Sequence, residues 1–101
     1  EVTFAIRDTE INGLSIKKDD YIGICEKQIV VNGSDKVAIA LELLSKMVDD
    51  TKSIITVLLG ADVDEETAQL LTKKISEKYS NFDLDMRVGG QPVYSFLIGV
   101  E

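Results

Sequence analysis

The sequence predicts an α/β (α+β) fold in two layers, a mixed β-sheet of about six to seven strands with two helices on one face. Three observations carry that expectation. The first third alternates apolar and polar residues with period two, and turn residues separate its runs. Two later stretches repeat apolar residues at helical spacing. Short apolar runs stand between and after those stretches. A ferredoxin-like repeat is the alternative, and the surplus of strands in the first third fits it less well.

The elements follow in order. Val2, Phe4 and Ile6 alternate with Thr3, Ala5 and Arg7, the pattern of a half-buried strand. Asn12-Gly13 suits a type I′ hairpin turn, because both residues tolerate positive φ. Leu14 and Ile16 continue the return strand, and Lys18-Asp19-Asp20 reads as a second turn. Tyr21 to Cys25 and Ile29 to Val31 are strand-like runs joined by Glu26-Lys27-Gln28. Residues 1–33 therefore read as a β-meander of about four short strands, and residues 34–101 as α-β-α-β-β. Ser34 is the expected cap of a helix over 35–49, with Asp35 in its first turn. Val37, Leu41, Leu44 and Val48 form its apolar stripe, and Glu42 and Lys46 stand four apart as an ion pair. Ser53 to Leu59 reads as a central strand buried on both faces. Asp64 caps the second helix, Glu65 and Glu66 complement its dipole, and Val63 with Ala68 forms a hydrophobic staple. Ala68, Leu71, Ile75 and Tyr79 are its buried stripe. Phe82 to Val88 is a strand wet on one face, Gly89-Gly90-Gln91-Pro92 turns the chain, and Val93 to Val100 is the last strand.

Composition narrows the function. A chain of 101 residues fits a single domain, 1–101, able to bury a core without staples. It starts at Glu1 rather than Met, so it reads as a fragment of something longer. The net charge of −7 disfavours nucleic acid and anionic membranes as partners and is compatible with a basic protein surface. No apolar run is long enough to span a membrane. The single Cys25 reads as a reduced, buried thiol, which suits the cytoplasm. There is no histidine, which removes the commonest catalytic base and most zinc sites, so no catalytic residue, metal or cofactor is expected.

The most informative stretch is Ile54 to Glu66, where an apolar run stops at Gly60 and four carboxylates follow: Asp62, Asp64, Glu65 and Glu66. Helix capping accounts for Asp64, Glu65 and Glu66. Asp62 lies in the loop after a strand, where open sheets place ligand contacts, and capping does not explain it. The spacing does not match a calcium loop. Asp49-Asp50 sits at the unfavourable end of the first helix and is explained by solvation. Gly89-Gly90-Gln91-Pro92 lies between strands rather than before a helix, so it reads as a hairpin and not as a phosphate loop.

Several segments together resemble a known family. Phe4-Ala5-Ile6-Arg7-Asp8-Thr9, then Ile11-x-Gly13, then Ile16-Lys17-Lys18-x-Asp20-Tyr21-Ile22-Gly23-Ile24 resembles the opening of the last, C-terminal subdomain of the fatty acid kinase A-subunit, a dihydroxyacetone-kinase-like (DAK phosphatase) family. Gly60-Ala61-Asp62-Val63-Asp64-Glu65-Glu66-x-Ala68 resembles its stretch after the central strand, and Gly89-Gly90-Gln91-Pro92-Val93-Tyr94 is similar to its ending. The resemblance implies a fold like the DegV C-terminal domain and a place at the C-terminal end of a bacterial, cytoplasmic kinase that serves phospholipid synthesis. It implies that ATP and catalysis belong to other domains of that kinase. A DegV-like partner presents a fatty acid for phosphorylation, and this region docks that partner's basic surface through Asp62, Asp64, Glu65 and Glu66. Other readings are a DegV-like lipid-binding domain, a small-molecule regulatory domain or an independent enzyme. The sequence departs from the family at Glu26-Lys27-Gln28, where a glycine is common, and at Leu59, where an aromatic is common. It also lacks the histidine that DegV-type carriers place near the loop corresponding to Gly89–Pro92.

Overall fold

Strand β8, Phe96–Val100, stands in the middle of the main sheet and joins its two halves. In the computed structural model, which describes residues 1–5, 8–11 and 13–101, the other strands are β1 (Val2–Phe4), β2 (Thr9–Ile11), β3 (Leu14–Ile16), β4 (Tyr21–Cys25), β5 (Gln28–Gly33), β6 (Ile54–Leu59) and β7 (Asp83–Val88). The helices are α1 (Lys36–Met47) and α2 (Glu65–Lys78). The six-stranded sheet runs β5-β4-β1-β8-β6-β7. Only β6 and β7 pair in parallel, across the α2 crossover, so the sheet is mixed as the sequence predicts.

The first third departs from a simple meander. β1 pairs with β4, and β2 and β3 leave the sheet as a separate hairpin. The reason is visible in the packing. Ile16 tucks with Leu14 against Ala5 and Ile22, forming a small second core on the sheet face that the helices do not cover. Asn32 Nδ2 donates to Ser15 O and Asp20 Oδ2, and Lys18 N–H donates to Asp8 Oδ1, which fixes the hairpin there. Gly13 has φ +79°, while the expected turn partner Asn12, and Ile6 and Arg7 of the first strand pattern, lie outside the described residues. The β4–β5 turn is made by Glu26 and Lys27, both at positive φ without a glycine.

The main core lies between the sheet and both helices. Val37, Ile39, Leu43 and Leu44 of α1 and Leu71 and Ile75 of α2 bury against Ile55, Val57, Phe96 and Val31. Gly23 lets α1 come close, since a Cβ there would stand 2.5 Å from Val31 Cγ2. Asp35, not Ser34, is the α1 cap, because its carboxylate accepts from Val37 N–H and Ala38 N–H at 2.9 and 3.4 Å. The helix ends at Met47 rather than 49, where Val48 turns extended. Glu42 and Lys46 make no ion pair; among the described residues the ion pairs are Lys36–Asp62 and Asp85–Arg87. β6 is flanked by strands on both edges but buried on one face only: Ile55, Val57 and Leu59 face the helices, while Ile54 is exposed and Thr56 and Leu58 are half-buried. β8 begins at Phe96 rather than Val93, because Val93 adopts φ +73° and takes the chain out of strand geometry.

Candidate functional site

The carboxyl end of β6 meets the loop between β7 and β8, and the two loops are sewn together by backbone bonds. Gly60 N–H donates to Ser95 O at 2.7 Å, and Ala61 N–H donates to Gln91 O at 2.9 Å. Gly89 N–H and Gly90 N–H both donate to Leu59 O. Gly60 is required by this approach, since a Cβ there would collide with Tyr94 O. Gln91 spans the gap with its side chain, its Nε2 donating to Leu58 O at 3.0 Å and Tyr94 O at 3.1 Å. This bridging role for Gln91 replaces the simple hairpin expected over Gly89–Pro92.

Asp62 belongs to this junction. Ser95, fully buried, donates its hydroxyl to Asp62 Oδ2 at 2.7 Å. Lys36 Nζ, at the first turn of α1, stands 3.7 Å from the same oxygen and donates to Asp62 O at 3.3 Å. The ammonium also lies 5.7 Å from the Tyr21 ring centroid, a cation–π distance. Asp62 therefore has a structural role that its sequence position does not reveal: it ties α1, the β6 loop and the β8 entry at one carboxylate. Its side chain remains 48% accessible.

Asp64 is the α2 cap, as expected, accepting from Thr67 N–H at 2.7 Å. Hydrogen bonding from Thr67, through its side chain and then its backbone N–H, holds the Asp64 carboxyl below the usual carboxylate range. Glu65 and Glu66 are exposed in the first turn, and Gln69 Nε2 donates to Glu65 Oε1 at 3.3 Å. The four sequence-predicted acids are thus brought together at one end of the molecule, with Asp62 engaged inward and Glu65 and Glu66 facing solvent. Asp49 is far from them, past the other end of α1. Thr51 donates to it through its hydroxyl and its N–H, which lowers the Asp49 pKa and makes it a turn residue.

Sequence reasoning missed Lys36, Gln91, Val93 and Ser95. None has a periodic signal, because each acts across loops that meet only in three dimensions. Cys25 is half-buried rather than buried, and it lines a cavity of about 550 Å³ at the end of the sheet opposite the acidic rim. Ile24, Met47, Ile98 and Val100 supply its apolar wall, and Lys46, Lys52, Glu26 and Asp49 are among its charged lining. Among the described residues no three His, Cys, Asp or Glu side chains converge as a metal-binding group, and no helix is long and apolar enough to cross a membrane.

Residues 1–101 match the FakA-like C-terminal family model, which describes the C-terminal part of proteins like the fatty acid kinase A-subunit. The chain is 38% identical over 101 residues to Protein YloV of Bacillus subtilis (strain 168), covering 100% of this chain and 18% of that protein. It is 37% identical over 100 residues to protein SAR1202 of Staphylococcus aureus (strain MRSA252), covering 99% of this chain and 18% of that protein. The chain therefore spans less than a fifth of the length of these relatives.

Proposed function

The chain belongs to the FakA-like C-terminal family of fatty acid kinases, and from that premise we propose that it is a non-catalytic docking module of a bacterial two-part fatty acid kinase. In this reading other parts of the parent protein bind ATP and transfer phosphate to the carboxyl group of a fatty acid, in the cytoplasm. This module receives a DegV-like fatty-acid-binding protein. The observation that carries the reading is the acidic end of the molecule. Asp64, Glu65 and Glu66 are all exposed there, and the nearby Lys36 is already engaged by Asp62. Unopposed charge of one sign at a rigid rim attracts a surface of the other sign and speeds encounter.

The test is titration of the full-length kinase chain against its DegV-like carrier at low and high salt. Binding weakens as salt rises, and Glu65→Lys with Glu66→Lys lowers the association rate about tenfold or more. Asp62 is left intact in that variant because it holds Ser95. Binding that ignores both salt and the double substitution removes the electrostatic reading.

The cavity beside Cys25 favours a second reading, a small apolar ligand with an anionic end bound by this module itself. Its volume is within the usual range for ligand sites, about 300–1,000 Å³, and Lys46 and Lys52 sit on its lining. Fatty-acid uptake by this chain, abolished by Met47→Glu, supports that reading; no uptake at millimolar ligand removes it.

A further inference from the structure

Val93 combines two features that folding alone does not favour. A β-branched side chain at φ +73° is strained, because left-handed geometry crowds its Cβ. Yet the side chain is 63% exposed, so little packing offsets that strain. The surrounding loop holds it there. Thr3 Oγ1, from a buried residue in β1, donates to Val93 O at 2.6 Å, and Ser95 N–H donates to Val2 O at 2.8 Å. Tyr94 N–H donates to Pro92 O at 2.8 Å, and Gln91 locks the other arm of the loop. Val88, which enters the same loop from β7, is 87% exposed, and Pro92 is exposed beside Val93 in the chain. A small apolar tip is thus presented to solvent on a loop with little freedom left to lose.

The tip is hydrogen-bonded through Gly60, Ala61 and Asp62 to the segment that carries Asp64, Glu65 and Glu66. Lys36 and Arg87, the bases nearby, are occupied: Lys36 by Asp62, and Arg87 by Asp85 at 2.8 Å. We infer that Val93, with Val88 and Pro92, is the apolar anchor of the docking surface, inserted into an apolar socket rimmed by lysine or arginine on the partner protein. The charge pattern selects that occupant. An anionic membrane or a nucleic acid would meet the adjacent carboxylates unfavourably, and a second copy of this chain would bring acid against acid. Within such an interface the work divides. Exposed acids steer the encounter, and a desolvated apolar anchor sets how long the complex lasts. A loop fixed in advance loses little further freedom on binding.

This inference rests on the docking reading, and the test separates the two. The full-length kinase chain carrying Val93→Gly, and separately Val88→Ser, is titrated against the DegV-like carrier beside the unmodified chain. Glycine accepts positive φ without strain, so Val93→Gly leaves the melting temperature unchanged or higher. It weakens binding about tenfold, through faster dissociation. Val88→Ser, at an exposed strand end, weakens binding in the same sense without loss of stability. Unmodified chain that binds while both variants bind equally well overturns the anchor and leaves acidic docking standing. Weaker binding by both variants, alongside an indifferent Glu65→Lys/Glu66→Lys chain, supports the anchor and removes the electrostatic reading. An unmodified chain that does not bind the carrier overturns docking and the anchor together. Light scattering that shows concentration-dependent dimers lost on Val93→Gly overturns the assigned occupant in favour of a second copy.

Discussion

Ser95 is the residue with most at stake in Asp62. Its hydroxyl is fully buried, and Asp62 Oδ2 accepts its proton. Asp62→Ala leaves a buried donor without that acceptor, at a cost of about 1–3 kcal/mol. Urea denaturation of Asp62→Ala checks this, and Asp62→Asn, which keeps an acceptor oxygen, recovers most of the loss. The pH dependence is set by other acids. Thr67 and Thr51 hold the carboxyls of Asp64 and Asp49 below their ordinary value in the folded protein. A depressed folded pKa means that the unfolded chain binds protons more readily. The stabilisation is therefore complete above the unfolded carboxylate value of about 4 and is lost as the pH falls through the lower folded value. Melting temperatures between pH 5 and pH 2 should fall, and the decline should be shallower in Asp64→Asn, whose amide does not titrate.

At the level of elements, close backbone approach is the vulnerable feature. Gly60→Ala would drive a Cβ into Tyr94 O, and backbone on both sides leaves nothing flexible to yield. The two loops must part, which costs about 1–3 kcal/mol by overpacking. Amide exchange should rise at Gly60, Ala61 and Gly89 before the rest of the sheet loosens. Asp35→Ala removes the acceptor for Val37 and Ala38 and should lower stability by about 1 kcal/mol, whereas Ser34→Ala should have little effect. That contrast marks where reading the sequence succeeds and fails. The α2 cap and its Leu71 and Ile75 stripe are legible because they are local and periodic. The choice between two adjacent good cap residues is not, since it depends on where β5 releases the chain. The acidic rim is legible as composition. The Ser95–Asp62–Lys36 junction is not, because residues 33 and 26 positions from Asp62 carry no pattern that points to it. The departure of β2 and β3 from the sheet is hidden for a similar reason. Alternation shows that a strand has an apolar side, but not which surface that side will cover.

For the whole molecule, β8 carries the largest share of cohesion. It pairs with β1 on one edge and β6 on the other, and Phe96 is fully buried beneath both helices. Phe96→Ala costs about 3–5 kcal/mol, a large part of the roughly 5–15 kcal/mol typical of a domain. A marked fall in the denaturation midpoint, without a separate early transition, is the expected result. The position of β8 also bears on synthesis. A ribosome delivers β8 after every other strand of this sheet, so the nascent chain holds β5-β4-β1 and β6-β7 as two unjoined pieces. Until then β1 and β6 each present a bare edge with unpaired amide and carbonyl groups, a template for pairing with another nascent chain. Polysome crowding and slow emergence of β8 are thus the conditions under which this small sheet is most open to misassembly. Synonymous changes that delay translation just before Phe96 should increase the insoluble fraction more than the same delay placed within α1.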